Sequence, residues 1–274
     1  MCTRYICAVV LVLGGVLLGA LPAVLQAQSN TVLCPTPRVD EQVRVQKVHD
    51  GDTIRLADGR SVRLIGINTP ELARKGRPAE PLGYVAKEFV QRQLFSAAND
   101  GYVKLRYGQP RTDHYGRTLA HVFLNNGSSL SALLLQKGLG QAVVIPHNVF
   151  NAECYFAAEQ TALQQARGVW KERRFLPVPA TELSKSNQGF YIVRGKVKRV
   201  GRSRKAIWLQ IETKGEPRLA LRLAYKDLRY FDIDPDKLLN KYVQARGWMR
   251  WHQGKKRREL RMNVRHGLML KRLH

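Results

Sequence analysis

The sequence predicts a mainly β protein with a few helices, arranged as two small β domains in series. Three observations point there. The chain has 274 residues, more than one small core needs. Short apolar runs, bounded by turn residues, fill the stretch from Val43 to Ile67 and return from Phe190 onward. Between them lie segments whose apolar residues recur at helical spacing.

The expected elements begin with a leader. Arg4 precedes an apolar run from Ile6 to Leu25, loosened by Gly14, Gly15, Gly19 and Pro22, and Leu25-Gln26-Ala27 ends in a small residue suited to cleavage. Residues 1–27 therefore read as a signal peptide, with an uncleaved membrane anchor as the other reading. Either way the body of the chain is expected outside the cytoplasm, in the periplasm or the extracellular space. Cys2 and Cys7 leave with the leader, and an oxidising compartment favours pairing the remaining Cys34 and Cys154. Residues 28–42, with Pro35 and Pro37, form an extended lead-in.

From Val43 to Ile67 the pattern is β, with a turn at Asp58-Gly59. A two-residue turn would pair Ile54 with Arg63 and mix core with solvent. A three-residue loop over Ala57 to Gly59 pairs Ile54 with Val62, sets Leu56 and Leu64 on one face, and leaves Gly59 as the left-handed residue. Arg63 then shares the other face with Thr53 and Arg55. A helix is expected over Gly83 to Phe95, then strands over Val103 to Tyr107 and Thr118 to Leu124. Ser129 caps a short helix that Gly138 ends, and a last helix runs from Ala152 to Arg167 before Gly168. Residues 175–189, carrying Pro177 and Pro179, read as a linker.

The C-terminal strands are expected at Tyr191–Val200, Ile207–Thr213, Leu219–Tyr225, Tyr242–Trp251 and Leu260–Met269, with a helical patch near Asp236–Asn240. Five strands with a helix before the fourth outline a small OB-like barrel over 190–274. Trp208, on an alternating strand, is expected inside it.

Charge separates the two domains. The chain carries 46 Lys+Arg against 21 Asp+Glu, a net +25. Ser184 to His274 holds +18 of this and the remainder +7. Such an excess attracts polyanions, and nucleic acid is favoured over an anionic membrane because no amphipathic helix accompanies the charge. Trp248, Arg250, Trp251, Lys255, Lys256, Arg257 and Arg258 combine cations with stacking rings and are the expected contacts.

Four short segments concentrate chemistry in the first domain. His49-Asp50-Gly51-Asp52-Thr53 sets two carboxylates about a glycine bend, which suits a hard cation. Arg63 interrupts an apolar strand. Asn68-Thr69-Pro70-Glu71 follows where the chain leaves the sheet, and Asp113-His114-Tyr115-Gly116-Arg117 is a glycine loop ending in a cation. Taken singly, each is as readily a solvated turn or an edge arginine.

Together, Val48 to Thr53, Val62 to Glu71 and Thr112 to Arg117 resemble, in order and wording, the signature stretches of the staphylococcal nuclease family. The resemblance runs from about Val43 to Trp170. It implies that 43–174 is a five-stranded OB-fold barrel with three helices that hydrolyses DNA and RNA phosphodiesters with Ca²⁺, leaving 3′-phosphate ends. By the same resemblance Asp52 falls on a metal-ligand carboxylate and Thr69 on a residue whose carbonyl reaches the metal. Asp50 is the neighbouring acid, and Asp113, in the glycine loop, is expected to back the site rather than enter it. Glu71 falls on the carboxylate that positions the attacking water, as orienting group or general base, and Arg63 and Arg117 on the two phosphate-binding arginines. Fixed guanidiniums lower the barrier because negative charge gathers on the oxygens around phosphorus.

The sequence departs from the family pattern twice. Asn68 stands where the staphylococcal enzyme has a second metal-binding aspartate, so one formal charge is missing from the metal shell. Gln141 to Pro146 lacks the tyrosines that line the base pocket, although Tyr115 is present. The competing reading is a catalytically weakened nucleic-acid-binding protein of the envelope. The expected partner is nucleic acid; no stable protein partner is implied, and a membrane enters only through an uncleaved leader.

Overall fold

The structure is a computed structural model that describes Met1 and residues 33–273, apart from Lys75 and 255–257. Beyond Met1, the expected leader at 1–27 lies outside the described residues, as do the expected contacts Lys255, Lys256 and Arg257. Among the described residues, no helix is long and apolar enough to cross a membrane.

Strands β1 (Glu41–Asp50), β2 (Thr53–Leu56) and β3 (Ser61–Leu64) form a meander. Ile54 faces Val62 and Thr53 faces Arg63, the register that keeps Ile54, Leu56, Val62 and Leu64 buried together. Gly59 takes a φ of +91° in the connecting turn, as the three-residue loop requires. After the two-residue β4 (Ile67–Asn68) comes α1 (Gly83–Leu94), which buries Ala86, Val90 and Leu94. Strands β5 (Tyr102–Thr112) and β6 (Thr118–Phe123) then close the barrel in the order β1-β2-β3-β6-β5, with β3 and β6 parallel.

Helix α2 (Leu130–Gln136), the short β7 (Gln141–Ala142) and α3 (Ala152–Gln164) complete this domain, and β7 pairs with β4. Two details differ from expectation. Ser129 precedes α2 but does not cap it; its hydroxyl donates to Tyr155 Oη at 3.0 Å, which also meets His121 Nδ1 at 2.8 Å. Helix α3 stops before Arg167, because Ala166 turns left-handed (φ +45°) and sends Val169 and Trp170 back against Ala162. A disulfide joins Cys34 to Cys154 and so ties the segment ahead of β1 to α3.

The stretch 175–189 is built into the fold: β8 (Val178–Pro179) runs parallel to the next strand, with Val178 opposite Val193. The second barrel consists of β9 (Gly189–Ser203), β10 (Ala206–Ile211), β11 (Arg218–Ala224), β12 (Tyr242–Gln253) and β13 (Arg258–Asn263). Its ring of pairings, β9-β10-β11-β13-β12 and back to β9, with β11 and β13 parallel, repeats the connectivity of the first barrel.

The expected last strand is divided. After β13 the chain turns at Gly267–Met269 and β14 (Leu270–Arg272) pairs back onto β12. Arg265 is drawn to Asp227 at 2.8 Å, and His266 Nδ1 accepts from Leu268 N at 3.1 Å, so this segment cannot continue straight. Trp208 is the clearest correction. Ile207, Leu209 and Ile211 point inward, so alternation turns Trp208 outward, where its Nε1 donates to Ser203 Oγ at 3.0 Å.

The two barrels share apolar packing and one buried ion pair. Val143, Val144 and Ala152 join the second core, and Ile192 of β9 packs with Ala162, Val169 and Trp170. Arg246 of β12 reaches across to Glu159 of α3, touching both carboxylate oxygens at 2.8 Å, with both residues buried. Glu159 also accepts from Ala142 N at 2.7 Å, and Arg246 donates to Ala142 O at 3.2 Å.

Arg246→Ala leaves a buried carboxylate without its cation and is expected to cost about 3–5 kcal/mol in denaturant unfolding. Arg246→Met combined with Glu159→Leu should restore most of that loss. His121 offers a second test, because burial, with Arg106 nearby, lowers its pKa to about 3. Neutral when folded and protonated when unfolded, it stabilises fully above its unfolded value of about 6.5 and loses that contribution as pH falls toward 3. The stability advantage of wild type over His121→Gln should therefore shrink by about 1.4 kcal/mol per pH unit below 6.5.

Candidate active site

The site is built where β1 ends. The chain bends at Asp50-Gly51-Asp52, and a Cβ on Gly51 would sit 2.8 Å from Thr69 Oγ1 and from the Ala86 Cβ. Only glycine lets this bend lie against the segment that follows β4 and against α1. Asp52 is thereby buried beside Thr69: Asp52 Oδ2 accepts from Thr69 N at 2.9 Å, and Oδ1 accepts from Thr53 Oγ1 at 3.2 Å.

Arg63, on the neighbouring β3, turns its guanidinium toward the same point. Its Nη2 lies 3.1 Å from Asp52 Oδ2, while Nη1 donates to the carbonyls of Leu64 (2.6 Å) and Ile67 (2.9 Å). The carbonyl of Ile67 comes from β4, which the pairing with β7 holds in place. Arg117 approaches from the glycine loop. Its Nε and Nη2 bind Asp113 Oδ2 at 2.8 and 2.7 Å, and its Nη1 stands 3.5 Å from Thr53 Oγ1. Burial pushes the Asp113 pKa up, but its bonds to Arg117 outweigh this and hold it below the ordinary value.

Glu71 stands at the mouth, with its side chain 58% exposed. Arg74 bridges it to the interior, 3.0 Å from Glu71 Oε2 and 3.8 Å from Asp50 Oδ2. The Asp50 pKa is raised, first by burial and then by the charge of Asp52. Asp50 in turn accepts from Asp52 N at 3.1 Å. Arg63, Asp52, Thr53, Arg117, Asp50, Arg74 and Glu71 thus form one continuous network of contacts. Asn68 sits at the half-buried end of β4, opposite Gln141. Tyr115 is exposed next to this cluster, its ring tilted 41° against that of His114 with centroids 3.8 Å apart, and Arg117 lies 5.3 Å from its ring centroid.

The oxygen chemistry of Asp50, Asp52, Asn68 and Thr69 suits a hard divalent cation, though among the described residues no three His, Cys, Asp or Glu side chains converge to hold one. Asp50 and Asp52 are adjacent buried carboxylates whose mutual repulsion a cation relieves, and Asn68 and Thr69 add only oxygen donors from amide and carbonyl groups.

Three participants escaped sequence reasoning: Arg74, Glu80 and Arg174. Glu80 Oε2 accepts from the backbone N–H of Glu71 at 3.0 Å, and its Oε1 binds Arg174 Nη2 at 3.0 Å. Arg174 also donates to the Phe190 carbonyl at 3.3 Å and lies 4.4 Å from the Tyr191 ring centroid, both in β9. Only the spacing of Arg74, three residues beyond Glu71, was a usable signal. The expected C-terminal contacts belong to the other barrel. Trp248 is exposed against Phe190, and Arg250 and Arg258 are exposed. Trp251 packs partly into the second core, with Lys185 5.2 Å from its ring.

Known proteins share this first domain. The sequence profile described as "Staphylococcal nuclease homologue" matches residues 61–172. A thermonuclease of Staphylococcus intermedius is 34% identical over 134 residues, which cover 48% of this chain and 77% of that protein. The chain belongs to the staphylococcal nuclease family. A thermonuclease of Staphylococcus hyicus (32% identity, 48% and 76% coverage) and endonuclease YncB of Bacillus subtilis (28%, 49% and 64%) are further relatives of this family member. Its family membership agrees with the closed five-stranded barrel, and these matches cover about half the chain.

Glu80→Ala removes the carboxylate that holds the Glu71 amide. Hydrogen exchange at that amide should speed up roughly 10-fold or more, while amides in the barrel core keep their protection.

Proposed function

We propose that the chain is an exported, divalent-cation-dependent nuclease that hydrolyses phosphodiester bonds of DNA or RNA. Ca²⁺ is the expected cation, and the C-terminal barrel holds the nucleic acid. The observation that carries this reading is the meeting of Arg63, Arg117, Asp52 and Glu71, from four separate segments, in one network of contacts. The names of the two staphylococcal thermonucleases and of endonuclease YncB agree with it. Export is supported by the apolar N-terminal sequence and by the Cys34–Cys154 disulfide, a bond suited to oxidising compartments.

In this mechanism Arg63 and Arg117 grip the phosphate oxygens. Arginine is always protonated and can bind two oxygens at once, so both stay effective as charge accumulates in the transition state. Arg63 is held by the Leu64 and Ile67 carbonyls, and Arg117 by Asp113, so little reorganisation accompanies the reaction. Glu71, exposed at the mouth, orients the attacking water and accepts its proton. Asp52, the Thr69 carbonyl and the Asn68 amide oxygen would hold the cation, which supplies polarisation of the phosphate.

Plasmid cleavage with added Ca²⁺ and with chelator tests this directly. Chelator should abolish cleavage, and Glu71→Gln or Arg117→Lys should lower kcat by roughly 100-fold or more. Asn68→Asp should raise activity at low Ca²⁺. Intact plasmid with every divalent cation tried, together with equal DNA binding by wild type and Glu71→Gln, would leave a binding protein without catalysis.

A further inference from the structure

The outer surface of the second barrel is divided. The outward residues of β9 and β12 near Ile192 and Arg246 are buried against the first domain. On the remaining strands two adjacent rows of outward residues run across the barrel, beside a row of Arg218, Glu259 and His252. In one, Arg199 of β9 lies opposite Gln210 of β10, which faces Ala220 of β11; Ala220 faces Arg261 of β13, and Arg261 faces Arg250 of β12. In the other, Gly201 faces Trp208, which faces Arg222, which faces Asn263.

Trp208 is the only aromatic ring in these two rows, and it lies among cations. The guanidiniums of Arg222 and Arg261 are 5.9 and 5.0 Å from its ring centroid. Gly201, paired with Trp208 across β9 and β10, sets no side chain beside it; a Cβ there would meet only Arg199 Nη2, at 3.9 Å. Across the five strands the single carboxylate is Glu259, buried and bonded to Arg261 Nε at 2.8 Å. None of the exposed aliphatic side chains falls in the two rows.

We propose that this face of β10, β11 and β13 is the seat of single-stranded nucleic acid. Trp208 stacks on a base, while Arg199, Arg222, Arg250 and Arg261 take the phosphates. The inference deepens the proposed function by naming where the second barrel holds its substrate. Charge complementarity selects the occupant. Four strand spacings of about 4.8 Å make the arginine row roughly 19 Å long around the curved wall of the barrel, a stripe along which a flexible phosphate backbone can wrap. One aromatic ring within such a stripe provides stacking that tolerates any base. An anionic membrane has no use for a ring framed by guanidiniums without aliphatic neighbours. A duplex would keep its bases out of reach of the indole.

The test is binding of a fluorescent oligothymidine to the full-length protein in chelator, where cleavage is not expected. Trp208→Ala should weaken binding roughly 5- to 100-fold, and Trp208→Phe should recover much of it. Arg222→Gln and Arg261→Gln should each lower the slope of log affinity against log salt by about 0.7. Cleavage of a dinucleotide should remain at the wild-type rate in all four variants. Unchanged oligonucleotide binding in Trp208→Ala and in the double arginine variant, with wild-type thermal unfolding, would overturn the proposal. So would duplex binding equal in strength and equally dependent on Trp208, or loss of heparin and anionic-vesicle binding in the arginine variants with no effect of Trp208. Oligonucleotide binding that depends on Trp208 in a protein that never cleaves plasmid would refute the nuclease reading and leave this one standing.

Discussion

The contact on which most of the molecule rests is the buried pair Arg246–Glu159. Glu159 gives one carboxylate oxygen both to Arg246 and to the amide of Ala142, and Ala142 returns its carbonyl to Arg246. That closes a small polar circuit inside apolar packing, where an unpaired member would be costly. Ala142 belongs to β7, β7 holds β4, and β4 offers the Ile67 carbonyl to Arg63 just before Asn68 and Thr69. A residue of the second barrel therefore helps to fix the floor of the site in the first. Removing the C-terminal barrel would leave Glu159, Val143 and Val144 without their cover, so the two domains are not separable modules joined by a string.

A second route between the barrels reaches the rim of the site. Glu80 holds the Glu71 amide, Arg174 holds Glu80, and β9 holds Arg174 through a carbonyl and a ring. Between β4 and α1, the described residues around Glu71 belong to no named strand or helix. Charge-assisted hydrogen bonds do there what a strand ladder does elsewhere. They fix the backbone of Glu71 while leaving its carboxylate exposed.

Both barrels use the same circuit of five strands, yet they bear different groups. In the first, the chemistry sits at strand ends and in loops, where a bend at Gly51 and a glycine loop at Gly116 bring carboxylates and guanidiniums together. In the second, the cations stand along the strands themselves, facing outward in register. A site proposed to surround one phosphorus atom needs converging segments, whereas a surface proposed to track a charged chain needs repetition.

Much of this was legible from residue order. Alternation over Val43 to Ile67 fixed the β2–β3 register, because a one-residue slip would have put Ile54 opposite Arg63 and exposed the core. The motif segments named every residue of the first cluster but Arg74, and with Cys2 and Cys7 assigned to the expected leader, Cys34 and Cys154 left one intramolecular pairing. What the sequence could not settle was direction and partnership across long separations. Trp208 looked like core by its type, but its place between Ile207 and Leu209 on a curved strand turned it out among arginines. Nothing in residue order singled out Arg246, which the docking of the two barrels buries on Glu159, 87 residues away. Local patterns specify which residues can share a face; only tertiary packing decides which faces meet, because buried charges find their partners through space and not along the chain.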